Sequence, residues 1–491
     1  MDARPVDAAG QRRPAEEVYA YRRIADEITA WISDGTLQAG DRLPSVRRTC
    51  AQWSVSVPTV LQAYRLLEAR RMVRARPRSG YFVLARPRRV EDEPRRSLPA
   101  SAPARVTTGE LIVRFLESVA DGSLVPLGTA LPDPALLPTA RLARTLGAVA
   151  RRDSVRSAMV WSPSGAEELR QQIAQRTVAT RAPVTPGDVV VTAGCNEAIA
   201  LGLRALTRPG DTVVVEAPAY YGTLQVIDAL GLRALAVPAD PREGIDVAAL
   251  DAALRETEVA AAVVTPTVHN PLGSVMPEAR RRELAAVLDA HGVPALEDDT
   301  YADLHFGPER PPSLRAFTRV APVLVCGSFS KTLASAYRVG WIIPGRYHAD
   351  VLRLKAATTV ATPTPTQLAI AEFLRTGGYD HHVRRLKAAL QANVERVTAQ
   401  VAGRFPPGTR ISAPAGGFLL WVELPEAVDA LELYARCLGR GVSLAPGPVF
   451  SATGGNRNLI RLNGGLLWSP RVEQALNVIA HEAQALVRTT G

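Results

Sequence analysis

Cys326-Gly-Ser-Phe-Ser-Lys-Thr-Leu-Ala-Ser-Ala-Tyr-Arg-Val-Gly-Trp341 is the stretch from which the rest of the chain can be read. An apolar strand runs into a loop of small hydroxyl residues that holds one lysine and, seven positions later, one arginine. Ser328, Ser330 and Arg338 offer hydroxyls and a guanidinium to a phosphate, and Lys331 sets beside them an amine able to form an imine. Lysine is otherwise scarce, with only Lys331, Lys355 and Lys387 against 55 arginines. A guanidinium cannot form a Schiff base, so each remaining lysine is a candidate for covalent chemistry. Taken alone, the segment also reads as a surface lysine in a serine-rich loop.

Two upstream segments weigh against that plainer reading. In Val293-Pro-Ala-Leu-Glu-Asp-Asp-Thr-Tyr301 an apolar strand runs straight into acids, and open α/β sheets place ligands at the carboxyl ends of their strands. Asp298 is placed there to pair with a cationic ring nitrogen, as a pyridoxal electron sink requires. In Thr265-Pro-Thr-Val-His-Asn-Pro-Leu-Gly273 a second strand ends in a proline-flanked turn, where the amide of Asn270 can donate to a phenolate oxygen.

Around these segments short apolar runs (DVVVTAG, TVVVEAP, AAAVVTPT, VPALEDD, PVLVCGSFS, WIIPG) alternate with Ala- and Leu-rich helical stretches. That alternation predicts an α/β domain with a predominantly parallel sheet and helices on both faces. Beyond Gly377 a long helix, short strands around GGFLLWVELP and NLIRLN, and a final helix predict a smaller α+β domain.

The front of the chain reads differently. Residues 18–33 carry apolar groups at three-four spacing, Ser45 can cap a short helix from Val46 to Trp53, and Ser56 with Pro58 can start another to about Arg70. MVRARPRSGYFVL then reads as a β-hairpin, so three helices and a hairpin predict a winged helix-turn-helix. Residues 1–108 hold twenty Arg, no Lys and twelve Asp or Glu, which is +8 of the chain's net +10. A basic front joined to a near-neutral body points to nucleic acid as a partner. Residues 85–108, rich in Pro, Arg, Ala and Ser, read as an extended linker. The organisation expected is a flexible start over 1–17, a winged helix over 18–84, the linker, and a body over 109–491. Within the body the large domain is expected at about 150–375, and the small one at about 376–491 plus 109–149. No apolar run is long enough to cross a membrane and no signal peptide is legible, so a cytoplasmic location is expected. The four cysteines lie far apart without metal-ligand spacing and are expected as free thiols, with no metal site.

Residues 109–491 resemble the fold-type I aminotransferases through TAGCNEAIA, VEAPAYYGTLQ, HNPLG, EDDTYADL, SFSKTLASAYRVGW, APAGGFLLWVELP and LIRLN, in family order. Residues 18–84 resemble the GntR-type winged helix through IADEITAWISDGTLQAGDRLPSVRR, VSVPTVLQAYRLLEARRMV and SGYFV. The combination resembles the MocR-like transcriptional regulators. The resemblance implies pyridoxal 5'-phosphate as cofactor. Lys331 would form the internal aldimine, Asp298 would pair with the pyridine nitrogen, and Asn270 and Tyr301 would bond the phenolic oxygen. Tyr220 would stack on the ring, while the turn Gly194, Cys195 and Asn196, with Ser328, Ser330 and Arg338, would hold the phosphate. Arg461 in LIRLN would bind a substrate carboxylate through two bonds. On the DNA side Arg47, Ser56 and Thr59 would enter or flank the major groove, and Arg78 and Gly80 would sit at the wing tip.

Three departures stand out. Trp161 occupies a position where many relatives have a Tyr, Cys195 one where Ser or Thr is usual, and Gly464-Gly-Leu-Leu-Trp468 follows LIRLN in place of an aromatic and a Ser. The function expected is a DNA-binding regulator, as a homodimer, that senses an amino compound through aldimine exchange at Lys331. The rival reading is an active aminotransferase with an N-terminal extension.

Overall fold

The computed structural model describes residues 14–33, 36–37, 40–69, 72–76, 80–83, 93–97, 99, 102–159 and 162–490. The chain divides into two compact units, Met1–Arg89 and Val90–Gly491. Of the expected flexible start over 1–17, residues up to 13 lie outside the described ones, and the first helix begins at Pro14.

The first unit contains α1 (Pro14–Ser33), α2 (Val46–Trp53), α3 (Val57–Ala69), β1 (Val73–Arg76) and β2 (Gly80–Val83). Ser45 caps α2 by accepting the Arg48 N–H at 3.3 Å, and Ser54, left-handed at φ 50°, ends it. Ile24, Ile28 and Ile32 of α1 pack on Val60, Tyr64 and Leu67 of α3, the burial that a three-four spacing prepares. The buried Tyr64 hydroxyl donates to Pro44 O at 2.7 Å and shares a 2.8 Å bond with Thr49, so the turn before α2 is tied to α3. β1 and β2 pair antiparallel from Val73 opposite Val83 to Arg76 opposite Gly80.

The second unit carries β3 (Val125–Pro126), β4 (Val190–Thr192), β5 (Thr212–Ala217), β6 (Arg233–Asp240), β7 (Gly244–Ile245), β8 (Ala261–Val264), β9 (Ala295–Asp298), β10 (Val323–Ser328) and β11 (Gly340–Ile343). All but β3 form one sheet in the order β4-β11-β10-β9-β8-β5-β6-β7. β6, β5, β8, β9 and β10 run parallel, while β11 is antiparallel to both β10 and β4. β8, β9 and β10 are buried at every position because helices cover both faces, which explains their unbroken apolar runs. The segments after β4, β5, β8, β9 and β10 therefore leave the same edge of the sheet.

The smaller sheet takes β12 (Arg410–Ile411), β13 (Leu419–Glu423), β15 (Ala445–Pro446) and β16 (Leu459–Asn463) in the order β12-β13-β16-β15, while β14 (Val442–Ser443) pairs with β3. Its apolar face shares a core with the helices Gly378–Arg404 and Pro470–Thr490.

Two expected boundaries shift. Residues 109–149 do not go to the small domain as a block. Val125, Leu127 and Ala130 do join its core, but Ile112 and Phe115 pack with Val213 and Val215 of β5, and Leu142 and Val149 pack with Leu169 and Phe373. Amphipathic periodicity shows that a helix has a buried face and not which sheet it covers.

The expected linker over 85–108 is likewise only partly a linker. From Glu93 onward its described residues are bound to the body as a strap. Arg242 donates to Glu93 at 2.7 Å, the Arg95 N–H donates to Glu423 of β13 at 2.7 Å, and Arg96 reaches Asp240 and Asp246 at 2.9 Å each. Ala104 exchanges both backbone bonds with Ala234 of β6, and the Thr107 N–H donates to Ala452 O at 2.9 Å. The acids that hold the strap lie more than 140 positions away, so no local pattern announced them.

Candidate functional site: a cleft at the strand ends

All the expected cofactor residues except Gly194 line one cleft, whose wall Leu131, Thr300 and Ser335 complete. The strand ends of the large sheet bring these distant segments together.

One end of the cleft is built for an anion. Gly194 (φ +89°) links β4 to the helix Cys195–Leu206, whose first-turn N–H groups and dipole favour negative charge. Arg338, itself left-handed at φ 49°, donates to Ala193 O at 2.9 Å and to Ser335 O at 3.3 Å. A Cβ at Gly194 would press into the Arg338 guanidinium, so only glycine lets the arginine lie against the turn. Ser328 Oγ donates to Ser330 Oγ at 2.7 Å and accepts the Ser330 N–H at 3.1 Å, fixing both hydroxyls at the end of β10.

In the middle, Asp298 ends β9 and accepts the Thr300 N–H at 3.0 Å and the Cys195 thiol at 3.5 Å. Burial pushes the Cys195 thiol well above its ordinary pKa, so it remains a neutral donor to that carboxylate. The departure from Ser or Thr at this position thus acquires a partner. Burial, seconded by the charge of Arg461, pulls Lys331 down to about 8, while Asp298 opposes the shift. Its Nζ donates to Ala130 O at 2.8 Å and lies 5.3 Å from the centre of the Tyr301 ring. The Tyr301 hydroxyl is buried without a hydrogen-bond partner, and burial raises its pKa, so it stays a donor in want of an acceptor. Tyr220, on the β5 side, donates to Asn196 Oδ1 at 3.3 Å.

Beyond Asn270, Arg461 of β16 is fully buried and does not itself line the cleft. It donates to Asn270 Oδ1 at 3.0 Å and to Gly128 O at 2.7 Å, and its guanidinium lies 5.0 Å from the Phe450 ring centre and 5.7 Å from that of Tyr221. Its Nε has no partner. Because Arg461 occupies the carbonyl end of Asn270, the amide end remains for a phenolic oxygen.

An anion cradle that a Cβ would fill, an amine of lowered pKa, a carboxylate at a strand end and an unsatisfied phenol together fit the groups of pyridoxal phosphate. Two features escaped the sequence reading. Behind Asn270, His269 Nε2 lies 3.2 Å from the buried Glu216, although both sit inside motifs already singled out. Next to the anion turn, Glu197 pairs with Lys355 at 3.2 Å. Trp161 lies outside the described residues.

On the first unit Arg47 is exposed in the first turn of α2, and Ser56 is exposed just before α3. Thr59, expected to reach DNA, is only 5% exposed, and its hydroxyl bonds Ser56 Oγ at 2.7 Å. The outward face of α3 is instead Pro58, Gln62 and Arg65, four and three residues apart. Gly80 opens β2 at φ +101°, and Arg78 lies outside the described residues. Among the described residues no group of three His, Cys, Asp or Glu could hold a metal, and no helix is long and apolar enough to cross a membrane.

The sequence pattern of the aminotransferase class I and II family matches residues 137–479, and that of the bacterial regulatory proteins of the gntR family matches residues 20–83. Over 93% of its length the chain is 38% identical to the uncharacterized HTH-type transcriptional regulator YdcR of Escherichia coli, covering 97% of that protein. It is 31% identical to the HTH-type transcriptional regulator TauR of Rhodobacter capsulatus over 89% of this chain and 90% of that one. Among solved structures it is similar to LysN, the alpha-aminoadipate aminotransferase of Thermus thermophilus, seen complexed with N-(5'-phosphopyridoxyl)-L-leucine. That likeness has a TM-score of 0.72 and 26% identity, and covers 78% of this chain and 97% of that one.

Proposed function

The chain belongs to the aminotransferase class I and II family and carries a gntR-family module at its front, and from that premise we propose that it is a DNA-binding transcriptional regulator that holds pyridoxal phosphate and responds to an amino compound. One observation carries the reading: a helix-turn-helix unit and a cleft lined by the expected cofactor residues occur in a single chain, which matches HTH-type transcriptional regulators along nearly their whole length.

The phosphate belongs with the Gly194–Asn196 turn, Ser328, Ser330 and Arg338, the ring nitrogen with Asp298, and the phenolic oxygen with Tyr301 and Asn270. Tyr220 would stack on the ring. Bound pyridoxal phosphate supplies an aldehyde that condenses reversibly with primary amines and a ring that withdraws electrons from the carbon they carry. Lys331, lowered to about 8, keeps a usable fraction of neutral amine near neutral pH, the form able to condense with that aldehyde. Arg461, lying beside two aromatic rings with an unpartnered Nε, would take the carboxylate of an incoming amine. Because Arg461 stands on the smaller sheet, a ligand bound through it gains affinity when that sheet moves toward the large one, the differential contact a switch needs.

The strap joins both sheets, Arg95 at β13 and Arg96 at β6, and leads back along the chain toward the first unit. We assign it the role of carrying the ligand's effect to the DNA-binding pair of a homodimer. The rival, a working transaminase, is favoured by the same lowered Lys331 and by the likeness to LysN. A titration of the purified chain with amino acids and amines, followed together by near-visible absorbance and DNA affinity, separates the two. The regulator changes both signals with little turnover on a keto acid. Rapid transamination with no effect of ligand on DNA affinity would reverse the conclusion.

A further inference from the structure

Lys355 stands on the helix His348–Thr358 and is 0% exposed, in a chain where 55 of 58 basic residues are arginine. Each of its three N–H bonds has an acceptor: Glu197 Oε2 at 3.2 Å, Thr359 Oγ1 at 3.1 Å and Thr362 Oγ1 at 3.3 Å. Glu197 in turn accepts the Ala193 N–H and the Thr359 hydroxyl, both at 2.5 Å. The Ala193 carbonyl accepts from Arg338 at 2.9 Å. The peptide that opens the anion turn is thus held from both sides, its N–H by Glu197 and its C=O by Arg338. Neither Glu197 nor Lys355 lines the cleft.

Such an arrangement contains a conflict. A carboxylate in the first turn of the helix Cys195–Leu206 satisfies the backbone, yet it stands beside a site meant for a dianion and repels it. An ammonium with three divergent donors removes that repulsion and meets three acceptors on different sides, which the planar fork of an arginine does not. Lysine at this point therefore has a reason apart from covalent chemistry, and its full burial outside the cleft keeps it from acting as a nucleophile there.

We infer that Glu197 and Lys355 form a neutral clamp that presets the turn Ala193–Asn196, with Lys355 as a positioning residue that sets the affinity for the cofactor's phosphate without touching it. The inference rests on the pyridoxal phosphate reading of the cleft. It also separates the phosphate end from the aldehyde end: the clamp acts on the first, and Lys331 on the second.

The test uses the full chain stripped of cofactor, titrated with pyridoxal phosphate and, separately, with pyridoxal, which carries the aldehyde without the phosphate. Lys355→Met leaves Glu197 unneutralised and is expected to raise the dissociation constant for pyridoxal phosphate about tenfold, the scale of one lost charge interaction near an anion. It should leave pyridoxal binding unchanged. Glu197→Gln removes the repelling charge and should bind pyridoxal phosphate at least as tightly as the parent. The double variant Glu197→Gln with Lys355→Met, neutral again, should return to within about threefold of the parent, a non-additivity expected of directly paired groups. Equal weakening toward both compounds, or no recovery in the double variant, would overturn the inference and reduce the pair to packing. Should Lys355→Met fail to fold, Glu197→Gln decides alone, since a tenfold loss confined to pyridoxal phosphate in that variant contradicts the clamp. A parent chain that gains no near-visible absorbance with pyridoxal phosphate would overturn the cofactor reading itself, a result distinct from any outcome among the variants.

Discussion

On the function proposed above, Lys331 and Arg461 would divide the work of recognising a ligand, and each makes a separate prediction. An amine of pKa about 8 is roughly one-tenth neutral at pH 7, against well under one-hundredth for an ordinary lysine. The rate at which the chain attaches pyridoxal phosphate covalently should therefore climb about tenfold per pH unit below 8 and level off above it, and stopped-flow absorbance would show this. A rise continuing to pH 10 would mean that burial does not tune this amine. Lys331→Ala should give no borohydride-stable adduct, since Lys355 is sealed among its acceptors and Lys387, which donates to Gly307 O, does not line the cleft. Peptide mapping of the reduced protein identifies the labelled residue. Arg461 is a different kind of group, because removing it leaves Gly128 O and Asn270 Oδ1 without their donors in a buried place. Arg461→Lys keeps the charge but loses the fork, and should raise the concentration of a carboxylated amine needed for half-maximal spectral change by about ten- to hundredfold, a cost of about 1.5–3 kcal/mol. Amines without a carboxylate should respond equally to both forms, and a parallel loss for them would show that Arg461 shapes the cleft and does not read the ligand.

At the level of elements, the DNA-binding unit supplies the sharper lesson. Period and capping signals located α2 and α3, yet choosing the contact residues needs the rotation of α3 about its axis, which Tyr64 and Thr59 fix by turning inward. Gln62 and Arg65 are left outward in consequence. We expect Arg47→Ala and Arg65→Ala each to weaken DNA binding and to lower the slope of log affinity against log salt by about one, as for the loss of one phosphate contact. Thr59→Val should leave that slope untouched, and a Thr59→Val variant with the salt dependence of Arg47→Ala would reverse the assignment. The same contrast runs through the body. The strands of the large sheet and the segments that follow them were legible because apolar runs end in chemically unusual residues, such as Asp298 after Leu296 or Ser328 before Lys331. What was not legible depends on partners remote in sequence. Glu197 meets Lys355 across more than 150 positions, and the helices Gly109–Ala120 and Thr139–Arg152 choose the larger core by shape alone.

Taken whole, the molecule places its strap where the large sheet is otherwise unfinished. β6 is paired with β5 along most of its length, but on its outer side β7 reaches only Ala239 and Asp240. Pro238 O already accepts the Asp246 N–H at 2.8 Å, but the remaining stretch from Arg233 to Val237 would present open backbone donors and acceptors on an apolar strand, the template on which chains add to one another. Ala104 occupies it with two backbone bonds, and Arg233 grips Pro103 O at 3.0 Å from below. Where the protein is divided therefore matters for its solubility. A fragment starting at residue 109, as domain boundaries drawn from sequence would suggest, carries the whole cleft yet bares that edge, and should form concentration-dependent oligomers in light scattering. A fragment starting at residue 93 keeps the edge closed and should stay monodisperse at the same concentration. Equal behaviour of the two would show that the edge needs no cover. The strap is thus a guard against self-association, and any event that peeled it from β6 would expose a surface ready to pair with a second chain.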